Sequence, residues 1–202
     1  MDTSNARSAS SATFYALDRL LFLIDGVFAI TLTLLVLDLK LEPGAGDHLQ
    51  QALIGLAPRL MTYFFAFASI STQWYLHHRG FRLVEHADSR LIGLSFAYLL
   101  CVTLIPATTA ILGDASADPL AAAVFSANTL LLCLVGWAIW SHLSSKRELL
   151  ASDVDPRLLP PIARVWRHVA LGFAAALVLG FVSVYIAYAI WFVLPITMRW
   201  LR

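Results

Sequence analysis

Long apolar runs constrain this chain before anything else does. A hydrocarbon core about 30 Å thick is crossed by a helix of about 20 mostly apolar residues. Such runs extend from Leu17 to Leu39, Ala52 to Leu76, Leu91 to Leu112 and Leu120 to Leu143. A further stretch, Val165 to Leu201, is about 37 residues and too long for one crossing. It is expected to turn near Gly180 to Val184 and to cross twice, the alternative being one crossing followed by a re-entrant or interfacial segment. The sequence therefore reads as an all-α integral membrane protein with six transmembrane helices. It forms one domain over residues 1–202, with a polar tail over residues 1–16.

Composition agrees. Hydrophobic residues make up 59% of the chain and charged residues 13%, against about 45–50% and about 25% in soluble domains. The net charge of +1, with no dense basic patch, gives no nucleic-acid partner. The polar connections Glu42–Gln51, Arg79–Arg90 and Ser144–Arg164 are too short to hold a catalytic domain. A Thr-Val-Gly-Tyr-Gly filter, an Arg-rich voltage sensor, a P-loop, His-Glu-x-x-His and Gly-x-Ser-x-Gly are all absent. The reading is thus of a protein that is not an enzyme, with no catalytic residue, metal site or cofactor. Cys101 and Cys133 lie inside apolar runs and read as small buried hydrophobes. Asn128 and Trp137 read as packing and hydrogen-bonding residues, and Trp166, Trp191 and Trp200 as interfacial anchors.

Basic residues orient the spans. With the N-terminus in the cytoplasm, only Lys40 and Arg59 of the 14 Lys and Arg fall outside. The remaining ones lie in the inside segments, which puts both termini and the Ser144–Arg164 loop in the cytoplasm. An odd number of spans would break this asymmetry.

Polar side chains within the spans come next. Asp25 lies about 10 Å along the first helix, where a carboxylate is costly unless paired or hydrated. Arg19 stands six residues earlier on a different face, so the two are no i, i+4 pair. Trp74, His77 and His78 end the second span on the same side of the membrane. Spacings of three and four let one face present all three, with an imidazole bonded to Asp25. Adjacent histidines make a poor zinc pair. Farther along the first span, Ile30, Leu34 and Leu37 form an i, i+4, i+7 stripe with Thr33 on its flank. Leu35, off the stripe, reads as lipid-facing. Spacing alone makes such a stripe a packing or lipid-facing surface. Repeated around a symmetry axis, it forms an apolar constriction able to gate by dewetting.

The segment Arg19-Leu20-Leu21-Phe22-Leu23-Ile24-Asp25-Gly26-Val27-Phe28-Ala29-Ile30 resembles the Arg-x-x-x-Phe-Ser-Asp-x-x-x-Ala-Ile signature of the transmembrane protein 175 family. That family comprises lysosomal potassium channels and their bacterial relatives. Thr33-Leu34-Leu35-Val36-Leu37 and Trp74-Tyr75-Leu76-His77-His78 also resemble it. Leu23-Ile24 stands where the signature has Phe-Ser.

The resemblance implies a single six-span repeat of the bacterial kind. Such a repeat assembles as a homotetramer around a central pore in the bacterial inner membrane, with potassium as the permeant ion favoured over sodium. It implies that the first helix lines the pore, with Ile30, Leu34 and Leu37 at the constriction and Thr33 beside it. It also implies a cytoplasmic-side polar network of Arg19, Asp25, Trp74, His77 and His78. Two other functions compete: a proton-coupled secondary transporter with Asp25 and His77 as relay, and a non-transporting membrane scaffold. A transporter is expected to carry paired broken helices. Pro106 interrupts the third span without a counterpart elsewhere.

Overall fold

The computed structural model describes residues 3–41, 44–155, 157 and 159–198, with side chains described between residues 17 and 194 except at residue 45. Helix α1 runs Thr3–Leu34 and tightens into a 3-10 turn over Leu35–Asp38. The N-terminal segment is thus helical from Thr3 onward. A 3-10 turn at Ala45–His48 leads into α2, Leu49–Gly55, and then α3, Ala57–Phe81. The next elements are α4, Ser89–Thr103, α5, Ile105–Asp114, and α6, Pro119–Ser145. Helices α7, Leu159–Leu179, and α8, Val184–Met198, complete the described chain.

Among the described residues, four segments are long and apolar enough to cross a membrane: Leu17–Asp38, Ser89–Asp114, Pro119–Ser145 and Leu159–Leu179. A fifth results if Gly46–Gly55 and Ala57–Phe81, bent by 52°, count as one. The second span is therefore not the straight Ala52–Leu76 helix expected. Pro58 sits in the first turn of α3, where its missing N–H costs nothing, and the preceding short helix enters at an angle. The helix also runs through His77 and His78 to Phe81 instead of ending at them. Pro106 likewise falls in the first turn of α5 and interrupts the third span at Leu104. Near that break, Asn128 of α6 donates to the Cys101 carbonyl at 3.1 Å.

The chain turns between Leu179 and Val184, as the length argument requires. Helix α7 begins at Leu159, however, earlier than the expected Val165. Pro160 and Pro161 are accommodated in its first turn, so Arg164 and Arg167 belong to the helix and not to a loop. Helix α8 has 15 residues, about 22 Å, short of the about 30 Å hydrocarbon core.

Helix α6 is the hub. It packs most extensively on α7, then on α4 and α5, while α1 lies against α4 and α3. Close approach is made possible by glycine. A methyl group at Gly136 would lie 2.5 Å from the Trp166 ring, and one at Gly80 would overlap Trp140. On the side where the charge argument places the cytoplasm, Leu149 O accepts from the N–H groups of Glu85 and His86, and Ala151 N–H donates to Leu83 O. These bonds tie the α3–α4 connection to the α6–α7 connection.

Three aromatic expectations change. Trp166 and Trp191 are buried core residues, not interfacial anchors. Trp191 stacks on Phe65 and packs against Phe125 and Tyr188, whereas Trp166 meets Tyr98 edge-on. Trp137 is exposed on the flank of α6, and Trp200 lies outside the described residues. Cys101 and Cys133 are buried and unbridged. Leu35 is 1% exposed and packs in the core of the bundle, so it does not face lipid.

A methyl group at Gly136 would overlap the Trp166 ring unless the ring shifts. Gly136→Ala is expected to destabilise the protein by about 1–3 kcal/mol through overpacking. It should lower the melting temperature in detergent. Gly93→Ala, where no atom lies within 4 Å of the added methyl, should leave it unchanged or slightly raised.

Candidate functional site

Helix α1 carries two apolar faces with different fates. Leu17, Leu20, Ile24, Phe28, Thr31 and Leu35 recur at spacings of three and four and are all buried. They form the face turned into the helix bundle. The buried Thr31 hydroxyl donates to Val27 O at 2.8 Å and leaves no loose donor in the core. Ile30, Leu34 and Leu37 are 60%, 42% and 52% exposed, so the predicted stripe lies on a face that the rest of the chain leaves uncovered. In a 3-10 turn, residues three apart nearly eclipse. Leu37, within Leu35–Asp38, therefore stands close to directly above Leu34. Thr33 is exposed beside the stripe, and its hydroxyl donates to Ile30 O at 2.7 Å. The proton is thereby committed, and an oxygen lone pair remains as acceptor.

At the other end of α1, Asp25 is bonded by tryptophan and not by histidine. The Trp74 indole N–H donates to Asp25 Oδ1 at 2.9 Å. The same indole stacks on the His78 ring, with centroids 5.1 Å apart. His77 turns away. It stacks on Phe81 at 4.1 Å and on Tyr98 at 5.5 Å, with Phe28 of α1 also against it. Its Nε2 is buried without a hydrogen-bond partner among the described residues.

Rows at i, i+4 explain this division. Trp74 and His78 form one ridge of α3; Gln73, His77 and Phe81 form the other, and Gln73 accepts from the Tyr98 hydroxyl at 3.3 Å. A single face does not present all three of Trp74, His77 and His78. Of the five residues expected in one network, the structure joins Asp25, Trp74 and His78. Arg19 is exposed and makes no ion pair among the described residues. Eleven residues before Ile30, it stands about 20° from it around the helix, on the uncovered face. Ile24, at the signature's serine position, is 1% exposed. A packed side chain thus stands where the resemblance calls for a hydroxyl.

Two polar pairs escaped sequence reasoning. Asp88 caps α4 by accepting from Leu91 N–H at 2.8 Å, and its carboxylate also meets His142 Nε2 at 2.8 Å. Burial pushes the Asp88 carboxyl up, but the Leu91 N–H and the His142 ring outweigh it and hold the group below the usual carboxylate range. An Asp one residue ahead of a helical run is a capping signal legible in sequence. Its pairing with His142, 54 residues away, is not. Arg59 of α3 and Asp114 of α5 form an ion pair at 2.8 Å across the opposite end of the bundle. No group of three or more His, Cys, Asp or Glu that could hold a metal ion occurs among the described residues.

Comparison with known proteins places this geometry. A family model described as endosomal/lysosomal potassium channel TMEM175 matches residues 19–106, which include the stripe and the Asp25–Trp74 pair. A protein of Chamaesiphon minutus named as a potassium channel is 33% identical over 178 residues, 85% of this chain and 88% of that relative. One from Streptomyces collinus, also named as a potassium channel, is 35% identical over 168 residues, 79% of this chain and 80% of the relative. The crystal structure of a lysosomal potassium-selective channel TMEM175 homolog from Chamaesiphon minutus superimposes with a TM-score of 0.80 at 28% identity, covering 92% of this chain and 97% of that one. With likeness of this extent to its relatives in both sequence and structure, the chain belongs to the TMEM175 family.

Proposed function

We propose that the chain is a potassium-permeable channel of the bacterial inner membrane, favouring potassium over sodium, in which four copies surround one pore lined by α1. The observation that carries this reading is the uncovered Ile30–Leu34–Leu37 face on a helix whose opposite face is core. The names of the near-full-length relatives point the same way. Six crossings, counting the bent α2–α3 pair and the short α8, keep both termini in the cytoplasm and agree with the distribution of Lys and Arg. Apolar rings hold back ions because a cation shedding water gains no ligands from methyl groups, and a narrow ring also dewets. The proton-relay reading loses support, since His77 packs among aromatic rings and the contact to Asp25 comes from Trp74.

Three outcomes test the proposal. First, a cysteine placed at Ser152, in the exposed α6–α7 connection, should resist an impermeant reagent applied from outside and react after permeabilisation. Labelling from outside would overturn the topology.

Second, Asp25 is expected to act as a staple holding α1 to α3. Asp25→Ala should cost about 1 kcal/mol through the lost hydrogen bond and lower the melting temperature. It should leave the ratio of potassium to sodium permeability unchanged. Trp74→Phe should reproduce the effect, and Asp25→Asn, which keeps an acceptor, should largely spare stability. A stable Asp25→Ala protein with altered selectivity would place Asp25 in the ion path.

Third, Ile30→Asn and Leu34→Asn, which keep the number of side-chain heavy atoms, should each raise cation flux into liposomes at matched protein content, and Ile30→Asn should weaken the preference for potassium over sodium. Leu171→Asn, on an exposed face of α7, should conduct like wild type. If all three variants match wild type, the stripe is not the gate.

A further inference from the structure

An open groove of about 280 Å³ lies between α6 and α7, away from the α1 stripe. Its α6 wall is Trp137, Ser141 and Ser144, at i, i+4 and i+7; its α7 wall is Ala163, Arg164 and Arg167, rising from Pro160. No carboxylate lines it. Arg164 and Arg167 are exposed and make no ion pair among the described residues. The Trp137 indole N–H and the Ser141 hydroxyl have no hydrogen-bond partner there either. Ser144 donates to Trp140 O at 2.7 Å. Donors from two helices therefore converge on one groove that offers them no anionic acceptor.

Depth makes this arrangement costly as it stands. Arg167 lies eight residues, about 12 Å, into a membrane-spanning helix, and Trp137 lies eight residues before the end of α6, at about the same level. A guanidinium at the hydrocarbon boundary needs water or an anion. A snorkelling arginine reaches the headgroup layer, where a lipid phosphate is the abundant anion and indoles prefer to lie. Basic pockets between transmembrane helices hold anionic headgroups in this way.

We propose that the α6–α7 groove binds an anionic phospholipid, with its phosphate held by Arg164, Arg167 and Ser141 and an acyl chain lying along Trp137. A planar guanidinium presents paired donors that match phosphate oxygens. The committed occupant is a lipid because the groove is open on the flank of two spans, so a headgroup there carries its chains into the bilayer. The proposal rests on the membrane setting and is independent of where the pore lies.

The test uses the full-length protein in detergent, titrated with phosphatidylglycerol or with phosphatidylcholine of the same acyl chains, bound lipid being counted by native mass spectrometry. Wild type should retain phosphatidylglycerol in preference to phosphatidylcholine, and soluble glycerol 3-phosphate should not displace it. The double variant Arg164→Gln/Arg167→Gln should weaken phosphatidylglycerol retention by about tenfold or more. Ser141→Glu keeps both arginines but supplies a carboxylate within the groove, and it should expel the lipid without relying on the double variant's folding. Arg147→Gln, an exposed arginine outside the groove, should behave as wild type. Equal retention by wild type and both groove variants overturns the proposal, as does equal loss in Arg147→Gln. Displacement by glycerol 3-phosphate would mean a small-anion site and overturns it too. A changed oligomeric state with unchanged lipid count would make the groove a subunit interface, with the same consequence.

Discussion

Every helix in this protein must choose a neighbour without help from hydrophobicity. Lipid tails are as apolar as leucine, so burying an apolar face against another helix gains little that lipid does not already supply. What remains is shape, and the structure shows shape at work. Glycines face tryptophans where α6 meets α7 and where α3 meets α6, at Gly136–Trp166 and Gly80–Trp140. Leu194 of α8 fills the space a side chain at Gly172 of α7 would need. The α6 hub follows from these fits, and its position in turn fixes where α4 and α5 can lie. Helix α1 sits at the edge of this assembly, held by one face.

The sequence made the spans legible because length and punctuation carry physical meaning. A run of about 20 apolar residues has few alternatives to crossing, and a stretch nearly twice as long must turn. The turn between Leu179 and Val184 follows from that alone. Proline was the misleading signal. Pro160 and Pro161 read as loop, yet both are absorbed by a first turn whose N–H groups lack partners in any case; Pro58, read as lying inside a continuous span, instead starts a new helix there.

Side-chain environment was less legible, for a related reason. Trp166 and Trp191 occupy positions in apolar runs that suit a membrane-interface anchor and a core residue equally well. Only the packing of Phe65, Phe125 and Tyr98 around them decides. The candidate site divides the same way. The i, i+4, i+7 stripe was visible as a stripe, whereas its exposure depended on the opposite face of α1 being the better fit to α3 and α4. His77 and Trp74 are three residues apart and were expected on one face. A separation of three leaves about 60° between them, enough for Trp74 to reach Asp25 while His77 enters an aromatic stack.

Polar groups then complete what apolar packing leaves open, and they do so in two ways. Where a partner helix is within reach, the pair closes internally: Trp74 with Asp25, Asn128 with the Cys101 carbonyl, His142 with Asp88, Arg59 with Asp114. Each ties two elements together, and Asn128 with the Cys101 carbonyl does so at a buried site where a broken bond has no water to replace it. Arg164 and Arg167 find no carboxylate within reach and face outward, so their counter-charge must come from the surroundings. The same rule bears on α1. Its inner face and the Trp74–Asp25 bond secure it to the bundle, and between Ile30 and Leu37 its outer face carries no polar side chain except Thr33, already turned to its own backbone. A surface so finished can meet lipid, a second subunit or a narrow column of water without leaving a buried donor unpaired. An apolar pore lining has that requirement, since it must remain stable whether wet or dry.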